Sequence, residues 1–219
     1  GYFNQEGLLR NSGLQRFNLR NNLTGGNDKF SYATNVSINY SKNDQPTSVG
    51  GSGVNQNPFF GAYASIPYLT IDARPTSEEL VANTIFAYTP YFIADKLFSD
   101  QAIEEELKIV ASLSASYNIT ENLVASVISG IDYESVVDLS TRDPEGFNAL
   151  LFNRDNPGFQ TQDLDRRAAF NATTALNYTK EFNKHTLGLG LYSEYFKAHL
   201  RTFGYTSNGL NIKTFSPGD

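Results

Sequence analysis

The chain has 219 residues, a formal net charge of -6, and no Cys, Met or Trp. The absence of cysteine excludes a disulfide framework, a thiolate metal site and a cysteine nucleophile, and the acidic balance argues against an electrostatic nucleic-acid binder. No run of 18 apolar residues is present, so the sequence predicts no transmembrane helix.

Alternation of apolar with small or polar residues is clearest between Phe30 and Ser41. A period of two fits a strand and cannot be used by a helix. The same pattern recurs along the chain. It predicts seven strands, near 2–9, 14–24, 29–42, 105–118, 122–136, 165–181 and 185–202.

The connections between these strands are sorted by length. Short turns are predicted near 24–29, 119–122 and 182–185, whereas the opposite ends carry a break at 11–13 and long loops at 44–104 and 137–164. Outer-membrane barrels combine short periplasmic turns with long extracellular loops in this way. The predicted fold class is therefore all-β, an antiparallel transmembrane β-barrel segment. A soluble antiparallel sheet, with one face on a core, remains the alternative for the alternation itself.

The two strand faces differ in chemistry. In a barrel the apolar face would meet lipid and the Asn-, Ser- and Thr-rich face a watery lumen. Five tyrosines near strand ends fit an interfacial girdle: Tyr40, Tyr117, Tyr133, Tyr178 and Tyr195. Arg16, Arg20, Asn35 and Asn39 are the candidate lumen-facing, substrate-contacting residues.

Seven strands is an odd number, and the chain ends in a segment that resembles a loop, from Gly204 to Asp219. Bacterial single-chain barrels have even strand counts. We therefore expect an open section of a larger barrel, with two unpaired edges.

The loop 44–104 is too long for a simple connector, and loops of this length are usually functional. Ser77 is predicted to cap a short helix that runs to Ile85. The aromatic candidates for a partner or glycan surface in this loop are Phe59, Phe60, Tyr63 and Tyr68. The alternative is that these aromatic residues pack the loop on itself.

No catalytic, cofactor or metal site is predicted. The two histidines, His185 and His199, lack an acid or ligand cluster at suitable spacing. Asp163, Asp165 and the run 104–106 are interpreted as solvated rim charge rather than a glycosidase pair. Carboxylates and amides in the loop 137–164 leave calcium binding open, although their spacing matches no EF-hand.

Several segments resemble an early barrel section of the SusC/RagA-type TonB-dependent transporters. They are the opening run 1–9 with Asn11-Ser12-Gly13 and Arg16–Arg20, the stretch Asn57–Phe60 with Ile66-Pro67, and the turn Phe182–Leu187 followed by Glu194-Tyr195. The resemblance spans nearly the whole chain through strand and turn patterns.

This resemblance implies a wall section of a Bacteroidetes outer-membrane importer for glycans or peptides. A SusD-like lipoprotein would cap the barrel, and TonB would supply energy through a plug and TonB box that are absent from these residues. The resemblance implies no enzyme and no cofactor. The runner-up is a soluble or surface-attached β-rich carbohydrate-binding module, which would fold in buffer without detergent. The rest of the wall and the plug would contribute most of the substrate selectivity.

Overall fold

A computed structural model describes residues 1–47, 57–63, 70–82 and 89–211 of the chain, and most of them lie in one antiparallel sheet. Each strand pairs with its neighbours in sequence, from β1 at one edge to β7 at the other. The strands are β1 Tyr2–Glu6, β2 Gly13–Gly26, β3 Phe30–Gln45, β4 Asp100–Thr120, β5 Leu123–Arg142, β6 Phe159–Phe182 and β7 His185–Asn208. Over the described residues the sheet does not close on itself. The prediction of an all-β barrel segment of seven strands is confirmed.

Three tight turns lie at one end of the sheet, hereafter the turn end. The β6–β7 turn needs only Asn183 and Lys184, and Asn183 adopts a positive φ of 52° that asparagine tolerates well. In the β2–β3 turn, the Asn27 carboxamide oxygen accepts hydrogen bonds from the backbone N–H groups of Lys29 and Phe30, both at 2.9 Å. The opposite end, the loop end, carries the longer connections.

The strands extend further towards the loop end than the sequence predicts. β5 continues to Arg142 and β6 begins at Phe159, so the predicted loop 137–164 shortens to 143–158. The added ladder pairs Val137 with Leu164 on one face and Ser140 with Thr161 on the other. The alternation of Val137 and Leu139 with Asp138 and Ser140 therefore continues the strand pattern beyond the predicted end.

Three further boundaries are corrected. The loop 44–104 reduces to 46–99, because β3 and β4 pair as far as Gln45 with Ala102. β7 runs to Asn208, whereas a loop was expected from Gly204, and the Tyr205 hydroxyl donates to Gln160 Oε1 at 2.9 Å. β1 ends at Glu6 rather than near residue 9, because the chain turns there and the Gly7 N–H donates to the Ser12 carbonyl at 2.8 Å.

Four helices pack together beyond the loop end, and we call them the loop cap. They are α1 Pro58–Tyr63, α2 Ser77–Ala82 and α3 Thr89–Ser99 in the β3–β4 connection, and α4 Phe147–Phe152 in the β5–β6 connection. A 3₁₀ turn, Ile71–Ala73, precedes α2. The buried core of the cap consists of Leu80, Tyr91, Phe92 and Phe147. Two distant connections therefore share one small core.

The sequence predicted one short helix and assigned its N-cap to Ser77. The cap is Thr76 instead, one residue earlier. Its hydroxyl accepts from the Glu79 N–H at 3.3 Å, and Glu79 Oε2 accepts from the Thr76 N–H at 2.8 Å, which is a capping box. The Thr76 hydroxyl also lies 3.0 Å from Glu79 Oε2 and can donate to it, and the bonds that this carboxylate accepts, the one from the backbone N–H foremost, lower the pKa of Glu79 below its usual value. The predicted end of the helix, Ile85, lies outside the described residues.

No helix within the described ranges is long and apolar enough to cross a membrane.

Candidate functional site

The four candidate substrate-contacting residues lie on one face of the sheet, hereafter the polar face. The β2–β3 register pairs Arg16 with Ser41, Arg20 with Ser37, Asn18 with Asn39 and Asn22 with Asn35. Both arginines are exposed. Asn35 Nδ2 donates to Ser112 Oγ at 3.2 Å, and Asn39 Nδ2 donates to Ser37 Oγ at 3.3 Å. The register therefore gathers all four on one surface.

A charged ladder crosses the middle of the polar face, in a register row that also contains Asn39. Lys108 Nζ lies 3.2 Å from Glu134 Oε1, and Arg167 Nη1 lies 3.4 Å from Glu134 Oε2. Lys108, Glu134 and Arg167 belong to three adjacent strands and are direct cross-strand partners. The ladder therefore presents two cations and one anion to any molecule that contacts the polar face. These three residues are not among the candidates named from the sequence, although each alternates with apolar neighbours and so belongs to the polar face of its strand.

Acidic residues concentrate nearer the loop end of the same face. Glu104 pairs with Asp138 and Asp138 with Asp163, and a cavity of about 140 Å³ lies among them. Asp163 is exposed and Asp165 is half-buried, where both had been interpreted as rim charge. Within the described ranges, no three His, Asp or Glu side chains are arranged to hold a metal ion, and the whole segment 137–164 is described.

The polar face is not uniformly polar. On the edge strand β7, three large apolar side chains share the face of Glu194 and are each more than half exposed. They are Tyr192, Phe196 and Leu200.

The opposite, apolar face carries a continuous band of apolar side chains, interrupted by a few hydroxyls. It runs from Phe30 to Tyr40 on β3, Leu107 to Tyr117 on β4, Leu123 to Tyr133 on β5, Ala168 to Tyr178 on β6 and Leu187 to Tyr195 on β7. On four of these strands the band spans ten residue steps, about 33 Å along the strand. Each of the five strands has a tyrosine at one end of the band.

Charged residues begin directly beyond the loop end of this band. Lys42 and Glu105 are cross-strand partners there with a 4.0 Å contact, and Arg166 and Lys197 occupy the corresponding positions on β6 and β7. On these four strands the band is thus followed by charge at the loop end, as an apolar layer of fixed thickness would require, whereas on β5 the next residue of this face is Ser135.

The predicted aromatic surface of the long connection is partly described. Phe59, Phe60 and Tyr63 all lie on α1 and are 56%, 47% and 93% exposed. The helix instead buries Pro58 and Gly61. A Cβ on Gly61 would lie 2.4 Å from Ile93 Cγ1, so glycine permits the close approach of α1 to α3. Tyr68, the fourth aromatic candidate, lies outside the described residues.

A buried carboxylate joins three helices of the loop cap. Asp95 is 3% exposed; its Oδ1 accepts from Ser77 Oγ at 2.8 Å and its Oδ2 from the Phe147 N–H at 2.6 Å. Phe147 also stacks on Phe92 with ring centroids 4.5 Å apart. Arg154 and Glu78 add an exposed ion pair between the segment after α4 and α2. Hydrogen bonds and an ion pair therefore join the β3–β4 and β5–β6 connections into one packed unit.

A second buried carboxylate lies where the loop cap meets the sheet, at the ends of β4 and β5. Arg142 Nε and Nη2 donate to the two oxygens of its cross-strand partner Asp100 at 3.3 and 3.4 Å, seven residues before the apolar band of β4. Burial raises the pKa of Asp100, although Arg142 acts in the opposite direction. Burial also lowers the pKa of the neighbouring Lys96. Nearby, the Arg10 and Arg74 guanidinium groups lie 4.0 and 5.1 Å from the Phe98 ring centroid.

Comparison with solved structures shows the same fold. The RagAB peptide importer in its closed-closed state matches with a TM-score of 0.63 and 20% identity, over 99% of this chain and 25% of that chain. The RagAB peptide transporter matches with a TM-score of 0.61 and 20% identity over 95% and 23%. RagAB in its open-open state matches with a TM-score of 0.61 and 19% identity over 100% and 24%. No protein-family model and no curated protein sequence matches. The chain therefore spans about a quarter of the solved chains whose fold it shares.

Proposed function

We propose that these residues form part of the wall of an outer-membrane importer of the SusC/RagA type, and that the substrate is a peptide. The observation that carries the proposal is the apolar band on one face, backed by a polar face and followed by charge at the loop end of four of its five strands. With a rise of about 3.3 Å per residue and a strand tilt of about 40°, ten residues climb about 25 Å, the height of the apolar band of an outer-membrane barrel.

The position of the band across the sheet supports the same proposal. Tyr40 pairs with Leu107, so the band ends in one register row on β3 and β4, but Tyr133 pairs with Ile109 and lies one pair nearer the turns. On β7 the band ends at Tyr195, which is nearer the turns again. This stepwise stagger is expected where tilted strands cross a layer of constant thickness.

In this proposal the polar face lines the substrate route. Arg16, Arg20 and the Lys108–Glu134–Arg167 ladder would offer charged hydrogen-bond partners to the backbone, termini and side chains of a peptide. RagAB, whose fold this chain shares, is a peptide importer, and this favours a peptide over a glycan as the substrate. No catalytic step is assigned to this segment.

The loop cap would face the outside of the cell. We propose that a SusD-like lipoprotein closes over it, with Phe59, Phe60 and Tyr63 of α1 as contact residues. Energy would come from TonB through parts of the protein beyond these residues.

Uptake by intact cells tests the proposed function. Deletion of the full-length gene should abolish uptake of a labelled oligopeptide mixture, and the wild-type gene should restore it. The double variant Arg16→Glu/Arg20→Glu should assemble normally yet alter which charged peptides enter, because it replaces two positive charges of the polar face by negative ones. The matched control is Lys184→Gln, in an exposed turn remote from the ladder.

Two results would contradict the proposal. One is unchanged peptide uptake in the deletion strain. The other is recovery of the full-length protein in the soluble fraction without detergent, which would favour the carbohydrate-binding module instead.

A further inference from the structure

Four basic residues form an exposed cluster on the apolar face, at the loop end of the band. Arg166 on β6 and Arg201 on β7 are direct cross-strand partners, and His199 and Lys197 follow on the same face of β7. All four side chains are exposed. We call Arg166, Lys197, His199 and Arg201 the basic cluster.

The pairing of Arg166 with Arg201 is unfavourable by itself. Directly opposed side chains have Cβ atoms about 5 Å apart, and like charges at that position destabilise a sheet. In the described part of the chain, no carboxylate forms an ion pair with any member of the basic cluster. The next partners of Arg166 and Ala168 on this face are Ser135 and Tyr133, neither of which is acidic. The cluster therefore presents uncompensated positive charge.

The position of the cluster indicates what neutralises it. Arg166 lies two residues beyond Ala168, the last apolar position of β6, and Lys197 two residues beyond Tyr195 on β7. Phe170 and Tyr195, with ring centroids 6.1 Å apart, form the apolar surface just below. A ligand that reaches both surfaces must combine an anionic group with an apolar body.

We propose that the basic cluster binds the phosphorylated headgroup of a membrane lipid, whose acyl chains lie on the apolar band below it. The inference rests on the proposed function, since it requires the apolar face to meet lipid and the loop end to face outside. Arginine suits this role because its planar guanidinium can bind phosphate oxygens in pairs. Basic groups at a membrane surface attract anionic headgroups. A free phosphate ion would use the same cations but would gain nothing from the neighbouring apolar surface.

The test uses the full-length protein, delipidated in detergent and titrated with diphosphorylated lipid A in mixed micelles. The matched probes are dephosphorylated lipid A and inorganic phosphate. The double variant Arg166→Gln/Arg201→Gln should bind phosphorylated lipid A about 30-fold more weakly than the wild type, which is the loss expected for two surface cations. Arg166→Lys/Arg201→Lys should bind with an affinity between those of the wild type and the Gln variant, because both charges remain while the paired guanidinium contacts are lost. Lys184→Gln, at the turn end, should bind as the wild type does.

Each arm has a decisive result. Equal binding of phosphorylated and dephosphorylated lipid A, or unchanged affinity in the Gln variant, would overturn the proposal. So would equal competition by inorganic phosphate at the same concentration, since that would indicate a phosphate site without a lipid. If peptide uptake still depends on the gene but the Gln variant binds lipid A as tightly as the wild type, this inference fails and the proposed function stands. If the protein is soluble and imports nothing, the proposed function itself fails.

Discussion

Substitution of Val36 by arginine should strongly destabilise the barrel. Val36 lies on the apolar face of β3, six residues from Phe30 and four from Tyr40, the two ends of the band. A strand tilted about 40° gains about 2.5 Å of height per residue, so Val36 is about 15 Å and 10 Å from the two boundaries, close to the middle of the layer. Arginine at that depth of a barrel costs about 2–4 kcal/mol.

Two further substitutions provide a depth and a face control. Tyr40→Arg, at the boundary, should cost only about 0–1 kcal/mol. Asn35→Arg, adjacent to Val36 but on the polar face, places the cation towards the watery lumen and should cost least. Chemical unfolding of the full-length protein in lipid vesicles gives the three free energies. If Val36→Arg cost no more than Asn35→Arg, the assignment of the two faces would be wrong.

Three other substitutions test the loop cap and the strand ends beside it in the full-length protein. Arg142→Gln removes the guanidinium that donates to the buried Asp100 carboxylate and should cost about 3–5 kcal/mol, seen as faster hydrogen exchange at the loop ends of β4 and β5. Burial already raises the pKa of Asp100, so this loss should shrink as the pH falls and the carboxyl takes up a proton; a pH-independent loss would count against it. Asp95→Ala removes the hydrogen-bond acceptor shared by α2 and α4 and should cost about 1–3 kcal/mol. The loss is measured as faster proteolysis of the loop cap, and Asp95→Asn should cost less. Gly61→Ala should cost about 1–3 kcal/mol by forcing α1 away from Ile93, and unaltered protease resistance would contradict this.

The sheet was predictable where hydrophobicity alternates. The side chains of Val36 and Ile38 reveal their face without knowledge of any partner, because period two is a local property of the chain. The candidate residues Arg16, Arg20 and Asn35 share one face for the same reason.

The loop cap was not predictable in the same way. Asp95 accepts hydrogen bonds from residues 18 and 52 positions away, so no local pattern marks it as a buried linker. α3 lies inside the predicted loop 44–104, although Thr89-Pro90 is a helix-start signal. Likewise, Arg166 and Arg201 are 35 residues apart in sequence, and only the β6–β7 register brings them together.

The most direct test of the central claim compares two adjacent positions of β3 in the assembled protein. Cysteines are introduced at Ile38 and Asn39, which is feasible because this chain has none of its own; any elsewhere in the full-length protein are first replaced. A water-soluble maleimide should label Asn39→Cys and leave Ile38→Cys unlabelled in intact membranes, whereas a lipid-soluble reagent should show the reverse preference. Equal labelling of both cysteines by the water-soluble reagent would contradict the account, because neither face of the sheet would then meet lipid.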